Sequence, residues 1–279
     1  MVLYSTRQRR QKVIQKYDGS RATLSLHSSG HLVLHQFGWE NSSFFLFDTE
    51  TEAWSPLATF GGRGIGGVWH VDFSGERAVW DVASGGGIMT AVASRPEETS
   101  RIGYTGAEEW SPGISGDVVC WNERPRGCAD VRRGCPGEAI RCVDLGTGEG
   151  FVASADLPPE YCLILDGPGQ SVVSVSGPWV LYHAIRCDED LGAVYWDRAP
   201  SSIHSRLFHR GLGRSFPLTV LDAPVGAYVV TGDHVAIGYY PWWDGAVMPK
   251  GLYRCDLRVL FPEAYAAPPP DAPADGGED

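Results

Sequence analysis

The chain has 279 residues, of which 43% are hydrophobic and 20% charged, enough apolar material for a sizeable core and too few charges for a disordered polymer. Its net charge of −11 argues against generic nucleic-acid binding, which depends on Lys and Arg neutralising phosphates. No stretch reaches the ~18–20 consecutive apolar residues that span a bilayer, and 35 Gly with 19 Pro point to many tight turns.

In chain order, the first segment carries Arg7, Arg9, Arg10, Lys12 and Lys16, a run that reads as a solvated strand or arm. No apolar core follows these charges as it would in a secretory leader, so the expected location is the cytoplasm, or the periplasm or exterior if a leader has been removed. Strand-like ATLSLH then meets a Ser-Gly turn at Gly30, followed by HLVLH, FFLFDTETEAW and SPLATF. GVWHVDF leads into Gly75 and then RAVW, and the short SPGI leads into Gly116 and then VVCW, AIRCVDLGTGEG and FVASA. SVVSV leads into Gly177 and WVLY, with SFPLTV further on, and AYVV leads into Gly232, HVAI and GLYRCDL.

These units repeat. Three residues after each turn glycine stand Val33, Ala78, Val119, Val180 and Val235, and four after stand Leu34, Val79, Cys120, Leu181 and Ala236. Five after come His35, Trp80, Trp121, Tyr182 and Ile237, large every time. Each glycine therefore joins two short strands where a residue without Cβ is cheap. Asp48, Asp144 and Asp256 close the third strand of three units, as residues whose carboxylates accept backbone N–H groups in Asx turns. Cys120 occupies an apolar slot and is expected to be a buried filler.

A period of about 45 residues with four strands per unit fits a propeller, whose radial repetition leaves only short sheet edges. The expected fold is all-β: one five-bladed propeller with four antiparallel strands per blade. The N-terminal strand is expected to close the ring as the outer strand of the fifth blade. Residues 1–264 form this domain, and the Pro/Asp-rich residues 265–279 a disordered tail. The pattern SG-D-x-V-x-W followed by D-L-x-T-G-E, as in ISGDVVCW and CVDLGTGE, resembles the TolB-type propeller repeats. That resemblance implies a propeller used for binding or scaffolding, and it transfers no catalytic residue.

All the Ser/Thr-Gly turns fall on one rim of such a ring, and the long irregular loops fall on the other. The second rim is where binding is expected. Its candidate ligand-binding residues are Trp39, Trp110, Trp196, Tyr240, Trp242 and Trp243, aromatic groups with polar edges. Packing between blades is the competing explanation for each Trp, less so for the adjacent pair Trp242–Trp243.

Catalysis finds little support. A glycosidase needs two facing carboxylates, and only Asp72, Glu108 and Glu109 lie on or beside inner strands; a hydrogen-bonded turn role explains Asp72 better. His27, His31 and His35 scatter over two strands, and Asp188, Glu189 and Asp190 lack the spacing of a Ca²⁺ loop. Seven cysteines are an odd number, and Cys128, Cys135 and Cys142 lack the close pairs of a metal site. Free thiols are expected there, with a disulfide inside the cluster as the alternative. No catalytic residue, metal or cofactor is assigned. The expected function is a non-enzymatic binding module for a protein or peptide, with a carbohydrate-binding propeller next and a glycoside hydrolase last.

Overall fold

In the last four repeats the inner strand reaches its turn glycine in the left-handed region, with φ of 56° at Gly75, 59° at Gly116, 56° at Gly177 and 54° at Gly232. A side chain at such a φ is crowded, which is why glycine recurs. The structure, a computed structural model, describes residues 2–5, 10–13, 22–26, 32–37, 42–47, 54–60, 68–82, 87–92, 95–103, 106–127, 137–163, 173–187, 203–218, 228–239 and 251–266, and side chains from His70 onward except at 96–97, 203, 228, 237–239 and 251–252.

After the strands β1 (Val2–Ser5) and β2 (Arg10–Val13) come β3 (Ala22–Leu26), β4 (Leu32–Phe37), β5 (Ser42–Phe47) and β6 (Trp54–Phe60), which pair in sequence order as the first blade. The second blade is β7 (Val68–Ser74), β8 (Arg77–Val82), β9 (Ile88–Val92) and β10 (Arg95–Arg101). The third is β11 (Glu108–Ser115), β12 (Val118–Arg124), β13 (Ala139–Asp144) and β14 (Gly150–Val152). In the fourth, β15 (Tyr161–Leu163) and β16 (Ser174–Ser176) both pair with β17 (Trp179–Arg186), and β18 (Ile203–His209) and β19 (Arg214–Leu218) follow. The last sheet has three strands: β20 (Tyr228–Thr231), β21 (His234–Tyr239) and β22 (Gly251–Asp256). All described pairings are antiparallel.

This corrects the blade count. Among the described residues four sheets reach four strands or more and the fifth repeat has three, so the described structure has four blades and not five. Nor does the N-terminal strand close a ring, because β1 and β2 pair with each other as a separate hairpin. The cause lies at Asp256. In the third blade the equivalent Asp144 accepts the N–H groups of Gly146 at 2.9 Å and Thr147 at 3.2 Å, an Asx turn that leads into β14. Asp256 instead accepts the N–H of Arg258 at 2.9 Å and caps the short helix α1 (Leu257–Leu260). Leu257 and Phe261 then bury beside Trp179, so the chain spends its apolar residues on the seam with the fourth blade rather than on a fourth strand.

The core lies in the seams between sheets. Three residues after the glycine, Val119, Val180 and Val235 face the preceding sheet; four after, Val79, Cys120 and Leu181 face the following one. Five after, Trp121 and Tyr182 turn back to the preceding sheet. The second strands β8, β12 and β17 are thus buried on both faces, which is why their repeat is the strongest in the sequence. Cys120 is fully buried, as expected, but it is no simple filler: it is disulfide-bonded to Cys142, its direct cross-strand partner. A second disulfide joins Cys162 to Cys187, and Cys255 is a free thiol.

Candidate functional site

On the turn rim, each serine reaches into the next blade. Ser74 Oγ accepts the Gly116 N–H at 2.7 Å, Ser115 Oγ that of Gly177 at 3.0 Å, and Ser176 Oγ that of Gly232 at 2.8 Å. Asp72 belongs to the same ladder, its Oδ2 accepting the Ile114 N–H at 2.9 Å and its Oδ1 the Phe73 N–H at 2.9 Å. The turn rim is therefore a set of latches, and Asp72 is one of them.

The opposite ends of β7, β8, β11, β12 and β13 gather a different set of groups. The inner strands β7 and β11 each carry one extra residue there: the register shifts between Val68 and Val71 against β8, and between Trp110 and Gly113 against β12. His70 and Ser111 occupy these bulges, each five residues before its turn glycine. Ser111, which precedes Pro112, is held at φ 50° and is fully buried. Non-glycine residues in that region store backbone strain.

Asp81 ties the two bulges together. Its Oδ1 accepts the His70 N–H at 2.8 Å and its Oδ2 the Ser111 N–H at 3.0 Å, while His70 Nδ1 lies 2.7 Å from Oδ2. Burial pushes the Asp81 carboxyl up, but the hydrogen bond and charge of His70 and the two backbone N–H groups outweigh it and hold the pKa below the ordinary carboxylate value. Ser111 Oγ stands 3.3 Å from the same His70 Nδ1. Serine, histidine and aspartate are thus adjacent without forming a nucleophilic triad, which needs serine and carboxylate on opposite ring nitrogens. The buried Ser111 also offers no access for a substrate.

On the seam with the second blade, Glu109 and Glu123 sit directly opposite each other on β11 and β12. Glu123 is gripped by Arg141, with Nε to Oε2 at 2.8 Å and Nη2 to Oε1 at 2.9 Å. Glu109 is only 2% exposed, and neither of its oxygens has a hydrogen-bond partner among the described residues. Burial and then repulsion from Glu123 push its pKa up, and the nearby Arg101 offsets this only in part. Its carboxyl is pressed so close to Gly103 that a Cβ there would meet Oε1 at 2.7 Å.

Facing the fourth blade, Glu108 accepts from Arg124 Nε at 3.0 Å and Nη2 at 2.6 Å, and the Arg124 guanidinium lies 4.9 Å over the half-buried Trp110 ring. Of the rim aromatics singled out in the sequence, Trp110 alone is described; Trp39, Trp196, Tyr240, Trp242 and Trp243 lie outside the described residues, as do Asp188, Glu189, Asp190, Cys128 and Cys135. Cys142 is paired outside the cysteine cluster, with Cys120.

His70, Asp81, Ser111, Glu123 and Arg141 escaped the sequence reading. One signal was available: six residues after the turn glycine stand Asp81, Asn122 and His183, and all three are buried polar residues. His183 Nδ1 lies 3.0 Å from Ser205 Oγ, and burial lowers its pKa to about 4.

No protein-family model matches the chain, and no curated protein matches it in sequence. Among solved structures it is similar to oligogalacturonate lyase from Vibrio parahaemolyticus, at 8% identity over 92% of this chain and 68% of that one, with a TM-score of 0.55. It is similar to the tricorn protease at 9% identity, over 92% of this chain and 29% of that one, with a TM-score of 0.52. TolB from Acinetobacter baumannii is also similar, at 14% identity over 78% of this chain and 48% of that one, with a TM-score of 0.46. The chain thus spans about half of the TolB chain. The likeness is one of fold, and it assigns no activity. Among the described residues, no helix is long and apolar enough to cross a membrane.

Proposed function

We propose that this chain is a binding module that engages a protein or peptide through the rim opposite the Ser/Thr-Gly turns. The observation that carries the reading is how the candidate catalytic acids are used. Asp72 latches two blades through Ile114 N–H, Glu108 is gripped by Arg124, and Glu109 is buried inside a seam. Glycoside hydrolysis needs two carboxylates open to a substrate between them, and these three serve the scaffold instead. The connections from second to third strand in the third, fourth and last sheets, residues 125–138, 187–202 and 240–250, leave from this same rim. Loops of uneven length on a rigid frame are where recognition concentrates.

The two disulfides favour an oxidising compartment over the cytoplasm, where thiols are kept reduced. The test is a pulldown with the full chain, run beside a glycan array. Specific protein capture that is lost when residues 188–202 are exchanged for a short turn, with Cys187 kept, supports the reading. Glycan hits without protein capture would replace it with a carbohydrate-binding module.

A further inference from the structure

The two disulfides differ in their surroundings. Cys120 and Cys142 are 0% and 1% exposed, sealed in the seam between the third and fourth blades. Cys162 and Cys187 are only half-buried, and they stand on the rim where the long connections leave. Thiol–disulfide exchange requires a thiolate to reach one sulfur of the pair, so the second pair is open to attack and the first is not.

The strand that the accessible pair holds is unusually small. The inner edge of the fourth blade is split: β16 pairs Ser174–Ser176 with Trp179–Leu181, and β15 separately pairs Tyr161–Leu163 with Ala184–Arg186. Cys162 sits at the centre of this three-residue ladder, and Cys187 is the residue just beyond the end of β17. Besides the disulfide, β15 is held by the buried Leu163, by Tyr161 set edge-on to the His204 ring at 4.9 Å, and by the Cys187 N–H donating to Glu160 O at 2.9 Å. A short edge ladder with few partners opens at low free-energy cost, so the covalent link matters more here than in a long strand.

We propose that Cys162–Cys187 is a redox-addressable clip: a dithiol reductant opens it while Cys120–Cys142 stays closed, and opening it frees β15 and weakens the rim's hold on its protein partner. The last part rests on the binding-module reading; the first two do not. In the reaction, one thiolate of the dithiol attacks Sγ of Cys162 or Cys187. The S–S bond breaks, the other cysteine leaves as a thiolate and takes up a proton, and a mixed disulfide forms. The second thiol of the reductant then closes onto its own sulfur, and the released cysteine sulfur is protonated. Two electrons and two protons reach the chain as two thiols, and the reductant leaves as a cyclic disulfide.

The test treats the full native chain with dithiothreitol, alkylates at intervals and reads peptides by mass spectrometry, with amide hydrogen exchange run in parallel. Cys162 and Cys187 should alkylate at least tenfold faster than Cys120 and Cys142. Exchange at residues 161–163 should rise while that at 174–176 stays unchanged. Opening of both pairs together, or opening without a change at 161–163, overturns the clip. The double variant C162S/C187S, folded and fully oxidised at Cys120–Cys142, should show the same exchange pattern without reductant and a severalfold weaker hold on the captured partner. Unchanged partner affinity overturns the coupling to binding. If no protein is captured at all, the binding-module reading fails, and labelling and exchange still decide the clip.

Discussion

Ser115 Oγ accepts the backbone N–H of Gly177 at 3.0 Å, so the serine of one turn holds the glycine of the next. Ser74 with Gly116 and Ser176 with Gly232 repeat the bond. The dipeptide thus has two separate jobs: glycine turns its own blade, and serine satisfies a donor in the neighbouring one.

Replacing that hydroxyl leaves a backbone donor without its partner. Ser115→Ala should lower stability by about 1 kcal/mol, read as a shift of the urea midpoint at constant slope. Ser115→Thr retains the oxygen and should recover most of the loss. Equal midpoints for the alanine and threonine variants would count against the latch.

Gly113 separates crowding from backbone conformation. A Cβ at this residue would stand 2.3 Å from the Val173 carbonyl oxygen, a backbone atom of the neighbouring blade that has little room to yield. Gly113→Ala should therefore cost at least ~2 kcal/mol through forced separation of the seam. At Gly116 nothing lies within 4 Å of the added carbon, and only its φ of 59° opposes the change. Gly116→Ala should cost about 1 kcal/mol, so the order of the two melting temperatures is the measurement.

Glu109 gives a pH dependence of known sign. Its folded pKa is raised by burial and by Glu123, so the unfolded chain ionises first as pH rises. Stability is then lost between the ordinary carboxylate pKa and the raised folded one. Glu109→Gln removes that loss: the variant should match the parent in acid and exceed it at neutral pH, in denaturation curves taken across the range. A variant no more stable than the parent at neutral pH would contradict the raised pKa of this buried carboxyl.

His183 acts in the acid limb. Burial lowers its pKa from 6.5 to about 4, so the unfolded chain takes up a proton before the folded one. The contribution is complete above the unfolded pKa of 6.5 and fades as pH falls toward about 4, a loss of roughly 3 kcal/mol. His183→Gln should flatten the stability profile between these limits, seen as a smaller loss of melting temperature on acidification.

The buried disulfide closes a loop with a sequence separation of 22 between Cys120 and Cys142. Loop-closure entropy then assigns it about 3 kcal/mol. The double variant C120A/C142A should lose about that much in equilibrium unfolding.

The two-faced register of the second strands was legible because alternation along a strand fixes which face each residue occupies. Asp256 shows where such reading stops. The bond it makes, carboxylate to a backbone N–H two residues on, is the bond Asp144 makes, and it serves a turn or a helix cap equally. The outcome depends on whether Leu257 and Phe261 find a seam to fill. The cysteine pairing of 120 with 142 follows from the register of β12 against β13, which spacing alone leaves open. SPGI reads as a weak strand because Pro112 lacks an N–H and Ser111 turns left-handed. That same irregularity presents the Ser111 N–H to Asp81 and builds the opposite rim.

Because β12 and β17 each face both neighbouring sheets, they work as party walls. Val119 and Cys120 are adjacent in sequence, yet they belong to different cores. No blade owns a complete interior, so removing a repeat strips two neighbours at once. Length can change only where the walls do not run, in the connections at the rims, and there recognition can diverge while the framework stays fixed.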